Sequence, residues 1–293
     1  MRVQRTVGRV CAAGVLALVT GCGWSAASAP QQDRPDEVPP APAPQTSAAT
    51  SAGLPSVGVL VDGDKHWCTA SVVASPKGNV VATAAHCADA GSAGSMAFAP
   101  GFSGAVKGSY PYGTWKVRAV QTDERWSGDG DDSFDYAFLT LEPDARGRSV
   151  QSVVGAAQPD WSSGPRRRVT AFGYPDEDHN PRNRPIACTT DTRPDTDLPS
   201  DVRIDCAGFW TGTSGSPWLA DYRGPGHLGK LIGVLSGGDT DVASTAVLFD
   251  ARARRLYEKA ARGVFARGRV GRAGGFNAPP PRPTPRGPAR TPT

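Results

Sequence analysis

Between Pro55 and Phe249 the chain falls into short apolar, β-branched runs separated by Gly, Pro, Asp and Ser. The first series is Ser56–Val61, Trp67–Val73, Val80–Thr83, Met96–Ala99, Thr114–Gln121 and Tyr136–Leu141. The second is Arg168–Gly173, Val202–Cys206, Ser216–Leu219, Leu231–Ser236 and Thr245–Phe249. Runs of this length, punctuated by turn residues, read as strands. Their repetition predicts an all-β domain of barrel or sandwich type. Ala251–Ala261 reads as a helix with Leu256 and Tyr257 on its apolar face. The flanks lack such a pattern. Residues 22–53 are rich in Ala, Pro, Ser and Thr, bury no core, and read as a tether. Stretched as polyproline it would reach on the order of 100 Å. Residues 262–293 are rich in Pro, Gly and Arg and read as a disordered basic tail.

The N-terminus has the pattern of an export signal. Arg2, Arg5 and Arg9 precede a short apolar core, Val10–Thr20, and the segment ends Leu18-Val19-Thr20-Gly21-Cys22. That ending resembles a bacterial lipobox, which implies a signal peptide over 1–21 and a lipid on Cys22. The competing site, cleavage near Ala29, is followed directly by Pro30. The expected location is extracytoplasmic, lipid-anchored to the cell membrane.

Charge separates domain from tail. The net charge is +4, but residues 54–261 hold 21 Lys/Arg against 25 Asp/Glu, and 262–293 carry seven Arg and no acid. The domain therefore has no basic excess for nucleic acid, whereas the tail could contact anionic wall polymers or lipid head groups. Of six Cys, Cys11 leaves with the signal and Cys22 is taken by lipid, which leaves Cys68, Cys87, Cys188 and Cys206. An even remainder in an exported chain reads as two disulfides, with three possible pairings. No C-x-x-C spacing favours zinc, and no metal or cofactor is expected.

The chemistry concentrates in three segments: Thr83-Ala84-Ala85-His86-Cys87, Asp135-Tyr136-Ala137-Phe138-Leu139 and Gly212-Thr213-Ser214-Gly215-Ser216-Pro217. Their order, His then Asp then Ser, differs from that of α/β-hydrolases and of subtilisins, and Ser216 stands where G-x-S-x-G needs Gly. Over roughly residues 54–261 the chain resembles the trypsin-like, chymotrypsin-fold serine peptidases, in particular bacterial exported branches such as glutamyl endopeptidase-like and actinobacterial enzymes. The resemblance implies two antiparallel six-stranded β-barrels with a C-terminal helix, and a serine endopeptidase acting on polypeptides. It assigns Ser214 as nucleophile, His86 as general base and Asp135 as the residue that orients His86. The amides of Gly212 and Ser214 would form the oxyanion hole. Ser236 would support Asp135, and Ser236, Gly237 and Gly238 would pair with an extended substrate. It further implies a Cys68–Cys87 bridge around His86 and, with it, Cys188–Cys206.

Other residues read more plainly. Asp129, Asp131 and Asp132 lie in a Gly/Asp/Ser-rich loop and read as solvated, while His66, His179 and His227 lack the setting of His86. Asp239 and Asp241 read as turn residues. Thr213 replaces the Asp that precedes the nucleophile in animal trypsins, and Leu54-Pro55-Ser56-Val57 replaces their Ile-Val-Gly-Gly start. A zymogen switch of that kind is therefore not expected. Leu235 stands where glutamyl endopeptidases carry His, which speaks against Glu specificity. The alternative function is a catalytically inactive trypsin-like binding module at the cell surface.

Overall fold

The computed structural model describes residues 38–263, apart from 64, 90–93, 105–108, 127–131, 199 and 241. The expected signal, Cys22 and the basic tail beyond Gly263 lie outside the described residues, as do Asp129, Asp131 and Asp241.

A two-residue strand, β1 (Ala49–Thr50), precedes the first barrel. That barrel is built from β2 (Val57–Asp62), β3 (Lys65–Val73), β4 (Val80–Thr83), β5 (Ala97–Pro100), β6 (Trp115–Thr122) and β7 (Ala137–Leu141). It closes in the order β2-β3-β4-β7-β6-β5. Two short helices, α1 (Ala85–Asp89) and α2 (Val150–Val154), lie in its connections.

The second half holds β8 (Gln158–Pro159), β9 (Arg168–Gly173), β10 (Ile186–Asp191), β11 (Arg193–Pro194), β12 (Asp201–Ile204), β13 (Pro217–Ala220), β14 (Lys230–Thr240) and β15 (Ala243–Leu248). Its sheet runs β1-β10-β9-β13-β14-β15-β12-β11, with β8 alongside β14, so this barrel stays open. The helix α3 (Ala251–Arg262) follows, capped by Asp250, whose carboxylate accepts from the amides of Arg252 and Ala253.

Three cores explain why the strands read as continuous apolar runs. Leu60, Val72, Val81, Phe98, Trp115 and Leu139 fill the first barrel. Val169, Val202, Ile204, Trp218, Ile232 and Ala246 fill the second. A third cluster joins Val57, Val59, Phe138, Leu219, Val234 and Val247 across the seam and buries Leu256 of α3. In β2, Val59 thus faces the seam while Leu60 faces the barrel interior, and both are fully buried. A strand covered on both faces needs no polar alternation. Each such side chain contributes roughly 1.5–3 kcal/mol on burial.

The expected tether boundary at residue 53 lies too late. Gln45 donates its amide to Thr189 at 2.6 Å, Ala48 donates to Ala207 at 2.8 Å, and β1 pairs with β10. These small and polar residues dock through backbone groups, so no hydrophobic pattern marks them. The strand β10 was likewise absent from the expected set; its Thr189 is buried and its hydroxyl lies 2.7 Å from that of Thr170 on β9.

Candidate active site

Strand register brings the His and Asp segments together. Thr83 of β4 lies opposite Ala137 of β7. His86 follows Thr83 by three residues on α1, and Asp135 precedes Ala137 by two. Asp135 is 2% exposed. Its Oδ1 accepts from the His86 amide at 2.9 Å, and its Oδ2 lies 2.8 Å from His86 Nδ1. Since an ionised carboxylate can only accept, Nδ1 carries the proton and Nε2 is left as the basic nitrogen. Burial works against the charged imidazole, but the hydrogen bond and charge of Asp135, aided by Asp132 and Asp89, outweigh it and hold His86 above its ordinary pKa.

The second half reaches Asp135 as well. Ser236, on β14, donates to Asp135 Oδ2 at 2.6 Å. The pairing of β13 with β14 sets Ser214 beside it: Gly215 donates to Leu235 at 2.7 Å and Leu235 donates to Ser216 at 2.9 Å. No hydrogen bond joins Ser214 to His86 among the described residues; His86 Nε2 lies 3.6 Å from Cys87 Sγ instead.

Two glycines allow the loop to fold this tightly. Gly212 has φ +92°, and a Cβ there would sit 2.8 Å from the Asp176 amide nitrogen and the Tyr174 carbonyl oxygen. Gly215 has φ +81°, and a Cβ there would collide with the Thr69 carbonyl and the Thr83 hydroxyl. Only glycine meets both demands. The amides of Thr213, Gly215 and Ser216 are spent on Trp210, Leu235 and Thr213. Those of Gly212 and Ser214 have no acceptor among the described residues. Thr213 is 1% exposed, and its hydroxyl donates to Trp210 O at 2.7 Å.

Thr69 is a residue the sequence did not announce. Fully buried on β3, it donates its amide to Ser214 O at 2.8 Å and its hydroxyl to Gly212 O at 3.1 Å. The same hydroxyl accepts from the Tyr174 amide at 3.0 Å. One side chain thus ties the first barrel to the Ser214 loop. His179, set aside on sequence, stacks on Trp210 with ring centroids 4.2 Å apart and bonds Asp176 at 2.9 Å. His66 Nε2 lies 3.0 Å from Asn183 Oδ1.

Disulfides join Cys68 to Cys87 and Cys188 to Cys206. The ligand atoms of Cys68, His86 and Cys87 cluster within 4.8 Å, but both sulfurs are spent in the bond and offer no thiolate to a metal.

The comparisons bear on the fold and the family. The Trypsin family model matches residues 44–254. The protease Anisep from Arthrobacter nicotinovorans superposes with a TM-score of 0.63 at 22% identity, covering 73% of this chain and 98% of its own. A thermostable serine protease, AL20, from an extremophilic microorganism gives 0.62 at 27%, covering 71% and 97%. A Glu endopeptidase gives 0.59 at 14%, covering 74% and 98%. No curated protein matches the chain at a significant level. The chain belongs to the trypsin family and is a serine-type endopeptidase, a hydrolase of polypeptides.

Proposed function

We propose that the chain is an exported endopeptidase that works through a His86–Asp135–Ser214 triad and an acyl-enzyme intermediate. In this reading His86 Nε2 takes the Ser214 proton as Oγ attacks the scissile carbonyl, then returns it to the leaving amine. Asp135 fixes the tautomer of His86 and stabilises the imidazolium. The amides of Gly212 and Ser214 receive the oxyanion. The Ser214–His86 bond forms as substrate enters, since such contacts tighten in the reactive complex. One observation supports the reading: His86 and Ser236 converge on a single buried carboxylate, and Leu235, next to Ser236, bonds Gly215 and Ser216 on the C-terminal side of Ser214.

Thr213 and its local bonds replace a zymogen-type ion pair, so the loop needs no newly cut N-terminus. Leu235 in place of His argues against Glu as the preferred residue. The disulfides suit an oxidising compartment. We extend the proposal to anchoring through a lipid on Cys22, with the Arg-rich tail against anionic wall polymers or head groups.

The test is labelling with a fluorophosphonate. The wild type should label and cleave peptides, and Ser214→Ala should lose both, with peptide hydrolysis falling by about 10⁴-fold or more. Unchanged hydrolysis in Ser214→Ala would overturn the assignment. A wild type that never labels would favour the binding module.

A further inference from the structure

Tyr136, the chain neighbour of Asp135, helps to wall a cavity of about 330 Å³ that the proposed chemistry does not use. Its walls are aromatic: Phe134 and Tyr136 from the segment entering β7, Trp161 from the loop between β8 and β9, and Phe249 just after β15. Trp161 stacks on Phe249 with ring centroids 5.7 Å apart, and Tyr136 meets Phe249 edge-on at 6.2 Å. Ser162, Ser200, Asp250 and Arg252 also line the cavity and are exposed, so it reaches the surface. Two hydroxyls of its lining residues, Tyr136 OH and Ser163 Oγ, are buried with no hydrogen-bond partner among the described residues. Tyr136 is 2% exposed. A buried phenol ordinarily finds an acceptor, and leaving it unmet is costly.

The occupant that fits brings apolar rings for the aromatic faces and carbonyl oxygens for the two hydroxyls. The mouth holds one acid and one base, Asp250 and Arg252, so charge does not select it. A polyproline strand meets both demands: it has no internal hydrogen bonds, so its carbonyls are free, and its rings dock in aromatic-lined grooves. The chain carries such a stretch, Pro279-Pro280-Pro281-Arg282-Pro283-Thr284-Pro285, beyond the described residues. The helix α3 starts at the cavity mouth and leads away from it to Gly263. Its 12 residues measure about 18 Å. Residues 264–278, with four glycines, separate Gly263 from Pro279. A linker of that length and composition spans about 20 Å on average. Such a match between linker and gap is the condition for the highest local concentration. The other Pro-rich stretch, residues 39–44, is placed elsewhere: Pro39 O accepts from Arg223 Nη1 at 3.4 Å, and Gln45, which follows, is bonded to Thr189 of β10.

We infer that the aromatic cavity beside Tyr136 is a docking site for the chain's own Pro279–Pro285 segment, held as a polyproline strand. Its proline rings lie against Trp161 and Phe249, and its carbonyls accept from Tyr136 OH and Ser163 Oγ. Docking folds the tail back along α3 and leaves its arginines outside the cavity.

The experiment is calorimetric titration of full-length chains with a synthetic peptide of residues 276–288. Every chain carries Ser214→Ala, so that no peptide is cut. A chain with Ser in place of Pro279, Pro280, Pro281, Pro283 and Pro285 has an empty cavity and should bind the peptide. The chain with its natural tail, filled from within, should bind it at least about tenfold more weakly. A peptide with the same five serines should not bind, whereas one with Arg282→Gln and Arg286→Gln should bind nearly as well as the natural one. Tyr136→Phe, added to the serine-tailed chain, keeps the ring and loses the donor, and should weaken binding by about tenfold. Ser163→Ala reads the same loss if Tyr136→Phe does not fold. No binding to the serine-tailed chain, or binding that follows the arginines rather than the prolines, overturns the docking site. Binding untouched by the loss of the hydroxyl moves it away from this cavity and overturns it too. Equal binding to both tails shows that the cavity is not filled from within and overturns the tail as occupant.

Discussion

In the first barrel the reactive groups are fixed by side chains; in the second they are fixed by backbone. His86 and Asp135 sit at the ends of two directly paired strands, β4 and β7, and are joined by two hydrogen bonds to one carboxylate. Ser214 sits in a turn whose shape depends on Gly212 and Gly215 and on amides bonded to Trp210, Thr213 and Leu235. The closed barrel fixes the ends of β4 and β7, and so holds Asp135 buried with a half-exposed His86 against it. The open sheet instead leaves an edge, Ser236–Gly238, and a loop with two spare amides. Under the proposed mechanism the difference is a division of labour: the half that keeps the His–Asp geometry is closed, and the half proposed to receive a chain is open. Ser236 and Thr69 are among the side chains that tie the two halves together, with Tyr174 bonding Val57 O and His66 meeting Asn183.

The sharpest way to break this comparison is to strike the closed half. Asp135→Asn should cut kcat/KM by about 10⁴-fold, because an amide can hold His86 in the wrong tautomer. The pH profile carries the mechanism. His86 works as a base only when neutral, so activity falls as pH drops through its pKa, which Asp135 holds above the ordinary 6.5. Without that carboxylate, burial dominates and lowers the value. The acid limb of the residual activity should therefore move to lower pH. A limb that stays put would mean that Asp135 does not set the charge of His86.

Much of the closed half was legible in the sequence, and for a physical reason. Val57–Val61, Val80–Thr83 and Ala137–Leu141 are buried on both faces, so their apolar runs stand out. The short motifs around His86, Asp135 and Ser214 stood out by residue type and order. What did not stand out were the edge strand and the Thr69 contacts, which are held by backbone or by one small polar group. Residues 45–53 dock as an edge strand with no apolar signal. Thr69 is one threonine among many until the fold brings Ser214 and Gly212 to it across 143–145 positions of chain.

A smaller effect is expected at the seam. Thr69→Val preserves shape but strips the acceptor from the Tyr174 amide and the donor from Gly212 O. Leaving such groups buried and unmet costs about 1–3 kcal/mol. We expect a lower Tm and a fall in kcat of about tenfold with KM less affected, since the oxyanion loop loses a strut rather than a substrate contact. Thr69→Ser keeps the hydroxyl and should restore kcat. If Ser fails to rescue, the methyl group's packing matters more than the bonds, and the two halves are joined by shape alone.

The last effect falls on stability, with none expected on rate, and sharpens the comparison from the open side. Asp201 on β12 is buried, has one orphan oxygen and titrates at about 7. Its folded pKa lies above its unfolded value of 3.8, so the folded state holds the proton more tightly. Stability from that proton is complete below about pH 4 and is lost as pH rises through about 7, where the buried carboxylate must ionise with only the Ser200 hydroxyl bonded to it. At pH 8 the penalty could reach about 4 kcal/mol at 1.36 kcal/mol per unit. Asp201→Asn cannot ionise and should escape it. Thermal unfolding of the two proteins should coincide near pH 4 and diverge toward pH 8, with the Asn variant the more stable. A difference that is the same at both pH values would show that Asp201 carries no buried charge, and that the open half tolerates its acids by solvating them.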